Sequence, residues 1–578
     1  MRAVKKVCLL IVSITLLSGC NLIVSRAPGL FVLGSGLGEY ENRPTWFWEV
    51  YGPDVVQGFR YSFDNESTWV EVDEKIRKFQ PIEPLDPGEY TLYLQAKSIS
   101  GLWSRTVSET ATVATSEPYR PNDPYFRGTQ ETGGVGQWAL EAMGMPALWG
   151  HIKYLENQGT VRDEVVVAVI DTGYTLHPDL EENLLISDGY DFIVDEFNAA
   201  DHDGIDPDAT DEGDGGIYGN SWHGTGVAGA IAAVTNNGEG IAGIGLSKIK
   251  VLPLRALGRT DGDTYDIAQA MRYAAGLPND SGETPSEPAK IINLSLGGGG
   301  TDQYFEESLI AVNSQNIIVV ASAGNSREYG ANEVDYPASS DYTIAAAATT
   351  YQNEIAPYSN PGSKVDISAP GGRGVLQDPW TDWVITVSPD PDADQPLAPA
   401  DYIFAGTVGT SISCPHVAGV LALLCTVDDS MDLETAKEVL MRSATDLGPS
   451  GWDNDFGYGL INGLAAMGAY RLLLDSGWSG YTTERRSVDT ASPPAGALPT
   501  GELAEESLIV RYATSATAKS LSTAGRLETL GAVPTARGYG RDKVVKPGTG
   551  IDPVELRNTL LGEPDIEAVF FNYKYRPL

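Results

Sequence analysis

Cysteine and basic residues are scarce in this chain. Of its 578 residues only 4 are cysteine, and Cys8 and Cys20 fall within the first twenty, which leaves Cys414 and Cys425 for the body. Those two lie eleven positions apart in one stretch of helical spacing. That separation is about 16 Å along a helix, far beyond the ~7 Å between Cα atoms that a bridge tolerates, so a disulfide framework is excluded. Lysine and arginine number 39 against 78 aspartate and glutamate, a formal net charge of −39 at pH 7. A surface of that sign repels nucleic-acid backbones and anionic lipid headgroups, and neither is an expected partner. The apolar run near the amino terminus, Val7 to Leu17, is shorter than the ~20 residues a membrane-spanning helix needs. Histidine is also rare, 5 in all, so the setting of each one is informative. The length itself is too great for one core, and about three domains are expected.

What the chain does hold is the segment Ala405 to Cys425, AGTVGTSISCPHVAGVLALLC, around which the rest is organised. Gly406, Gly409 and Thr410 lead into Ser411, and Val417, Val420, Leu421 and Leu424 follow at helical spacing. Ser411 is therefore expected at a helix amino terminus, where unpaired N–H groups favour developing negative charge. Pro415 is expected in the first turn, where its missing N–H costs nothing. A serine hydroxyl attacks only when a base takes its proton and a third group orients that base. Val165 to Asp171, VVVAVID, reads as a buried parallel strand that delivers Asp171 at its carboxyl end. His223 stands in SWHGTGVAGAIAAV, whose small residues let a helix start close to a sheet. Singly, Asp171 reads equally as a turn cap and His223 as a structural histidine. Apolar runs at 249–257, 289–296, 342–348 and 364–370 alternate with helical stretches such as 263–276 and 302–315, the pattern of a doubly wound α/β sheet.

The blocks VAVIDTGYTLHPDL, HGTGVAGAIAA and GTSISCPHVAGVLAL, in that order, resemble the three signature segments of the subtilisin-like serine proteases, and the resemblance covers residues 120–470. It implies that Ser411 attacks a scissile carbonyl, that His223 acts as base and then acid, and that Asp171 fixes the imidazole tautomer. It places the oxyanion asparagine at Asn325, at the end of NIIVVASAGNS, with the Ser411 N–H as second donor. It places the edge that pairs with an extended substrate at Ser295, Leu296 and Gly297. Gly226 departs from the histidine often found three residues after the catalytic one, which is expected to alter packing and not chemistry. Asp335 precedes Tyr336-Pro337-Ala338, a segment resembling the lining of the first specificity pocket. Facing the pocket it selects lysine or arginine; facing solvent it selects nothing.

Residues 121–126, PNDPYF, resemble the opening of thermitase-like members, where calcium ties this segment to the core. The matching oxygens are Asp123, Asp179, Asn237 and the carbonyls of Val234, Glu239 and Ile241, a set that suits Ca2+. A further acidic run, Asp201 to Asp214, reads equally as another cation site or as a solvated loop.

Residues 28–115 switch to short alternating strands, resembling a fibronectin type III or immunoglobulin-like β-sandwich with Trp48 in its core, and are expected to act as a spacer or weak binding module. Residues 1–20 begin with Arg2, Lys5 and Lys6 and end in Leu-Ser-Gly-Cys, which resembles the lipobox of bacterial lipoproteins. They imply an exported chain lipidated at Cys20 and anchored to the lipid bilayer of the cell envelope, at the outer membrane or cell surface. A Pro, Ala and Gly-rich linker, 471–502, leads to 503–578, whose order of elements suggests a small α+β (ferredoxin-like) domain of split βαβ type. That domain resembles the propeptide domains of fervidolysin-like subtilases, moved from the amino to the carboxyl side. It is expected to dock on the peptidase domain as a folding aid or inhibitor, with Tyr575 to Leu578 near the cleft, against the reading of an inert appendage. A pocket that prefers basic residues is at odds with Leu578 there. The whole reads as an extracytoplasmic serine endopeptidase acting on protein or peptide substrates. The alternative is a catalytically silent surface lipoprotein that binds partners.

Overall fold

A computed structural model of the chain describes residues 29–35, 46–51, 56–63, 67–75, 78–79, 88–113, 118–128, 136–215 except 163, 219–374 except 299 and 301, 382–476, 503–512 and, with short gaps, 527–578. The export segment with Cys20 and all but the first residues of the linker lie outside the described residues. Contacts divide the chain into two units. The first includes Trp48–Arg77 and Thr91–Glu109. It holds an antiparallel sheet in which Val56–Ser62 pairs with Val70–Val72 on one side and with Gly88–Ser98 on the other. Trp48 is fully buried there and its ring lies 5.9 Å from that of Phe59.

The second unit, which contains Thr110–Leu578, is built on a seven-stranded parallel sheet. Its strands are β1 (Val165–Asp171), β2 (Tyr190–Asp191), β3 (Ile249–Arg255), β5 (Ile291–Leu294), β7 (Ile318–Ser322), β8 (Ile344–Thr349) and β9 (Ile367–Pro370), in spatial order β9-β8-β7-β5-β1-β3-β2. Two short strands beside this sheet are β4 (Gly262–Asp263) and β6 (Leu296–Gly298), and an antiparallel hairpin is formed by β10 (Val384–Pro389) and β11 (Tyr402–Thr407). Every residue of β1 is buried, which is why its sequence is apolar throughout instead of alternating: a parallel strand between two helical layers has no wet face. The doubly wound α/β architecture anticipated from the alternation of apolar runs and helices is borne out.

Helices cover both faces. On one lie α1 (His223–Ala232) and α4 (Thr410–Cys425), with all residues of α4 buried. A helix apolar on every side has to sit inside the core, and α4 packs beneath β1, β5, β7, β8 and β9. On the other lie α2 (Thr264–Ala274) and α3 (Gln303–Asn313), each started by an aspartate cap, Asp263 and Asp302, whose carboxylates accept free backbone N–H groups.

Strands β12 (Leu503–Tyr512), β13 (Ala532–Pro534), β14 (Asp542–Pro547) and β15 (Ile566–Pro577) form an antiparallel sheet in the order β15-β12-β14-β13, with α5 (Pro553–Leu561) packed on it. This is the strand order of a ferredoxin-like α+β fold. The sheet lies over the second helical face: Ile509, Val544, Phe570, Tyr573 and Tyr575 are buried in one apolar cluster with Tyr265, Tyr304 and Phe305 of α2 and α3. Burying such side chains contributes ~1.5–3 kcal/mol each. Arg511 adds an ion pair to Glu307 of α3 and a 2.8 Å bond to Asp542.

Candidate active site

The parallel sheet changes winding direction between β1 and β5, the place where side chains at strand ends meet in a crevice. Asp171 is the last residue of β1 and is fully buried; His223 is the first residue of α1. Their side chains join, His223 Nδ1 to Asp171 Oδ1, at 2.7 Å. Asp171 is itself held, because the Thr172 N–H donates to Oδ1 at 2.8 Å. The Thr172 hydroxyl donates to Asp211 at 2.6 Å and accepts from the Gly224 N–H at 3.0 Å, which ties the strand end to the start of α1. Burial lowers the imidazole pKa, but the charge and hydrogen bond of Asp171, the Leu578 backbone and the charge of Asp211 outweigh it and leave the pKa raised. The Nε2 atom of His223 is sealed from water without a hydrogen bond of regular geometry. It is the atom a neighbouring hydroxyl needs as base.

Ser411 is the second residue of α4, buried to 4 % exposure, so its backbone N–H belongs to the unpaired first turn. Pro415, expected in that first turn, lies one turn further in. The hydrogen bond it cannot donate leaves the Ser411 carbonyl free, and the Ser295 hydroxyl takes it at 2.7 Å. Asn293 donates to the same Ser295 hydroxyl at 2.9 Å, so the nucleophile's helix is tied to the end of β5. Asn325 follows β7. Its Oδ1 accepts the Thr410 N–H at 3.0 Å and the Thr410 hydroxyl at 2.9 Å, which leaves Nδ2 as the end presented to the crevice. Gly409, with φ of 147°, has space for no side chain. A Cβ there would meet Ser411 Oγ at 2.9 Å, Asn325 Nδ2 at 3.2 Å and the Leu578 carbonyl oxygen at 3.2 Å. One point is thus within contact distance of the serine oxygen, the asparagine amide and the end of the chain.

Ser295, Leu296 and Gly297 form the edge beside that point. Strand β15 adds to it antiparallel, with Leu296 opposite Pro577, Gly297 opposite Arg576 and Gly298 opposite Tyr575, and the Leu578 N–H donates to the Ser295 carbonyl at 3.1 Å. On its other side β15 pairs with β4, Gly262 opposite Tyr575. The Leu578 side chain lies against Gly297, where an added Cβ would be 2.4 Å from Leu578 Cδ1 and 3.1 Å from Asp335 Cβ. Asp335 therefore borders the same pocket as Leu578. Burial raises its pKa to about 6, opposed by the Asn360 amide, which donates to it at 3.1 Å.

Away from the crevice, Asp123 and Asp179 are buried beside the 234–241 turn. Asp123 accepts the N–H groups of Asn236 and Asn237; Asp179 accepts the Asn237 amide at 2.7 Å and the Ile241 N–H at 2.9 Å, and its carbonyl takes the Val234 N–H at 2.7 Å. The Glu239 N–H donates to the Asn237 side-chain Oδ1 at 2.8 Å. Burial raises both carboxylates, and the charges of Asp123 and Glu239 help to push Asp179 up to about 7. In the acidic loop, Asp201, Asp203 and Asp206 gather their carboxylates, and Arg255 pairs with Asp201 at 2.7 Å and Asp191 at 2.6 Å. Gly226 lies under β10, where the Thr386 hydroxyl donates to its carbonyl at 2.6 Å. Cys414 is free but fully buried, and burial raises its thiol pKa strongly, a setting that disfavours reaction with thiol reagents.

Some residues of the site were not legible in the sequence. Asp211 was read only as one carboxylate of an acidic loop, yet it lies beneath the Asp171–His223 pair. The sole hint was the threonine in Asp-Thr-Gly, a hydroxyl that needs an acceptor. Thr410 and the Ser295 hydroxyl were likewise missed as orienting groups.

A sequence model of the subtilase family matches residues 162–459, more than half of the chain, a range that contains Asp171, His223, Ser295, Asn325, Asp335 and Ser411. This chain belongs to the subtilase family. It is 38 % identical over 317 residues to an extracellular protease of Xanthomonas campestris, an alignment covering 53 % of this chain and 51 % of the relative. It is 33 % identical over 368 residues to an extracellular basic protease of Dichelobacter nodosus, covering 60 % and 56 % respectively. This subtilase thus spans about half the length of those two proteins. Thermitase of Thermoactinomyces vulgaris is 32 % identical over 308 residues, covering 53 % of this chain and 85 % of thermitase. Among solved structures, a protease from Pseudoalteromonas arctica superposes with a TM-score of 0.51 at 32 % identity, covering 61 % of this chain and 99 % of that one.

Proposed function

We propose that this subtilase is an exported serine endopeptidase, anchored through a lipidated Cys20, whose cleft is held by its own carboxyl-terminal domain. The observation that carries the reading is the 2.7 Å Asp171–His223 pair beside a serine at the start of a buried helix. In the reaction the Ser411 Oγ attacks the substrate carbonyl while His223 Nε2 takes its proton. Asp171 stabilises the imidazolium that results. The negative oxygen is met by Asn325 Nδ2 and the Ser411 N–H. His223 then protonates the leaving amine, and water, deprotonated by the same imidazole, releases the acid from the acyl-enzyme. Extended peptides suit the site because the Leu296–Gly298 edge offers a backbone ladder. Export accords with the extracellular relatives and with the amino-terminal sequence.

The sheet of β12–β15 covers α2 and α3, and its last strand fills the substrate edge, the arrangement of an inhibitor. Deleting Tyr575–Leu578 is expected to raise hydrolysis of a short chromogenic peptide by ~10- to 100-fold, since a tethered strand competes at an effective concentration of order mM. An unchanged rate rules out the inhibitory role.

Asp335 gives the pocket a proton-dependent preference. Its raised pKa means the carboxyl is neutral below pH of about 6 and suits leucine, and charged above it and suits lysine or arginine. The ratio of cleavage after lysine to cleavage after leucine is expected to climb between pH 5 and 8, and to stay flat in Asp335→Asn. A flat ratio in the unaltered protein removes the assignment.

The Asp123 and Asp179 carboxylates, with Asn237 and the 234, 239 and 241 carbonyls, fit a structural calcium ion. Burial raises the pKa of both carboxylates, that of Asp179 further through the charge of Asp123, and such hard oxygen donors suit Ca2+. Asp123 from the 121–126 segment and Asp179 and Asn237 beside the turn would hold the ion, which would supply compensating positive charge there. Without it, a folded-state pKa of about 7 for Asp179 against an ordinary value near 4 means stability is lost as pH rises toward 7. Chelation is therefore expected to lower Tm by about 5 °C at pH 8, the order set by binding linkage, and by less at pH 5. Equal or absent shifts contradict the site.

A further inference from the structure

An oxyanion held between Asn325 Nδ2 and the Ser411 N–H requires two loops to meet at a fixed spacing, and Tyr358, which no motif in the sequence marks, bonds to both. Residues 358–360 bracket the loop that carries Asn325. The Asn360 N–H donates to the Gly324 carbonyl at 2.9 Å, the Ser326 N–H to Asn360 Oδ1 at 2.7 Å and the Arg327 N–H to the Tyr358 carbonyl at 3.1 Å. With bonds before and after Asn325, that loop has little freedom to shift relative to Tyr358. The Tyr358 side chain crosses to the turn that precedes α4, where its hydroxyl accepts the Gly409 N–H at 3.0 Å. The hydroxyl proton goes to the carbonyl of Gly371 or Gly372, each at 2.7 Å. Those glycines are fixed to the sheet in turn, since both of their N–H groups donate to the carbonyl of Thr349, the last residue of β8, at 2.9 and 3.0 Å. The Gly409 N–H also reaches the Gly371 carbonyl at 3.0 Å, so the phenol is not needed simply to satisfy a donor. Burial and the charge of Asp382 raise the phenol pKa against the bond from Gly409, so the hydroxyl keeps the proton it donates.

We propose that Tyr358 is a positioning residue of the peptidase site: its backbone holds the Asn325 loop, its hydroxyl holds the Gly409 turn, and together they set the spacing of the two groups that meet the oxyanion. The proposal rests on the serine-endopeptidase reading above. Tyr358 acts through Asn325 and Ser411 and not on the reacting atoms. Two donors stabilise a negative oxygen fully only when both are aimed in advance at the same point, and a displacement of about 1 Å costs on the order of 10²-fold in rate. The Asn325 side chain already ties the loops from one side, through Oδ1 to Thr410. The Tyr358 hydroxyl ties them from the other, one residue earlier, so the turn into α4 is fixed against rotation as well as against separation.

The test is Tyr358→Phe in the full chain, which keeps the ring and the backbone bond to Arg327 and removes the hydroxyl alone. Turnover of a short chromogenic peptide is expected to fall about tenfold or more, with KM changed less than about threefold. A peptide boronic acid of the same sequence forms a tetrahedral adduct on Ser411 with an oxygen where the oxyanion develops. Its affinity is expected to fall by the same factor as kcat, while the corresponding peptide carboxamide keeps its affinity. Added to Asn325→Leu, the same change is expected to cost less than about threefold more, because a site that has lost one donor has no spacing left to set. Equal kcat losses in the two backgrounds, or an unchanged boronic acid affinity, overturn the proposal. A raised KM with kcat preserved also overturns it, since the tyrosine then lines a substrate subsite. A Tyr358→Phe chain that does not fold makes the hydroxyl a bond of the fold and overturns it too. An unaltered protein that neither hydrolyses the peptide nor binds the boronic acid overturns the endopeptidase reading along with the proposal; normal turnover in Tyr358→Phe overturns the positioning role alone.

Discussion

Ser411→Ala is expected to lower peptidase turnover by about six orders of magnitude, the loss measured in subtilisin itself when its serine or histidine is removed. The size follows from the roles. On the proposed reading the hydroxyl at the start of α4 forms the acyl-enzyme, and without it the Asp171–His223 pair has no nucleophile to activate. Adding His223→Ala to Ser411→Ala should then cost little more, because groups that act as one unit do not add. The alanine has space: Ser411 Oγ is replaced by hydrogen in a buried turn whose backbone bonds, including that from the Ser295 hydroxyl to the Ser411 carbonyl, are untouched. Unfolding midpoints of the two proteins are expected to agree within a few degrees, which separates lost chemistry from lost fold.

Asn325→Leu is expected to lower kcat by ~10² to 10³ with KM nearly unchanged, a magnitude again known from subtilisin's own oxyanion asparagine. On the proposed reading the amide donates to an oxygen that carries full charge only along the reaction, so its removal does not weaken substrate binding in the ground state. Leucine keeps the volume but also removes Oδ1, the acceptor of both Thr410 donors. That second loss costs ~1–3 kcal/mol of stability and is read separately in Tm. A rise in KM with kcat preserved would show that Asn325 only shapes the pocket.

Most of the fold could be read from the chain because its parallel strands are buried on both faces and therefore advertise themselves as continuous apolar runs, as in VVVAVID. The start of α4 was legible for the same kind of reason: Gly-Thr-Ser before an all-apolar helix leaves few alternatives. The orienting shell was not. Asp211 hides in a run of carboxylates because a sequence gives no sign of which acid in an acidic loop is turned inward. The bond from Ser295 to Ser411 depends on a carbonyl freed by Pro415 one turn deeper than expected, and a one-turn difference in helix position cannot be judged from spacing alone. Leu578 was expected near the cleft on the strength of a resemblance, with an apparent conflict against an acidic pocket. The conflict eases with the setting of Asp335, whose burial raises its pKa to about 6 against the opposing hydrogen bond from the Asn360 amide. Strand register, which is set by long-range pairing of β15 with β4 and β6, decides which residue reaches the serine, and no local pattern encodes it.

The most direct measurement is active-site labelling. A fluorophosphonate probe, applied to the chain lacking Tyr575–Leu578 and followed by peptide mapping, is predicted to place one phosphonyl group per molecule on the peptide that contains Ser411, with none in the Ser411→Ala form. A peptide-cleaving preparation that takes no label at Ser411, or that keeps its activity once Ser411 is alanine, would contradict the account.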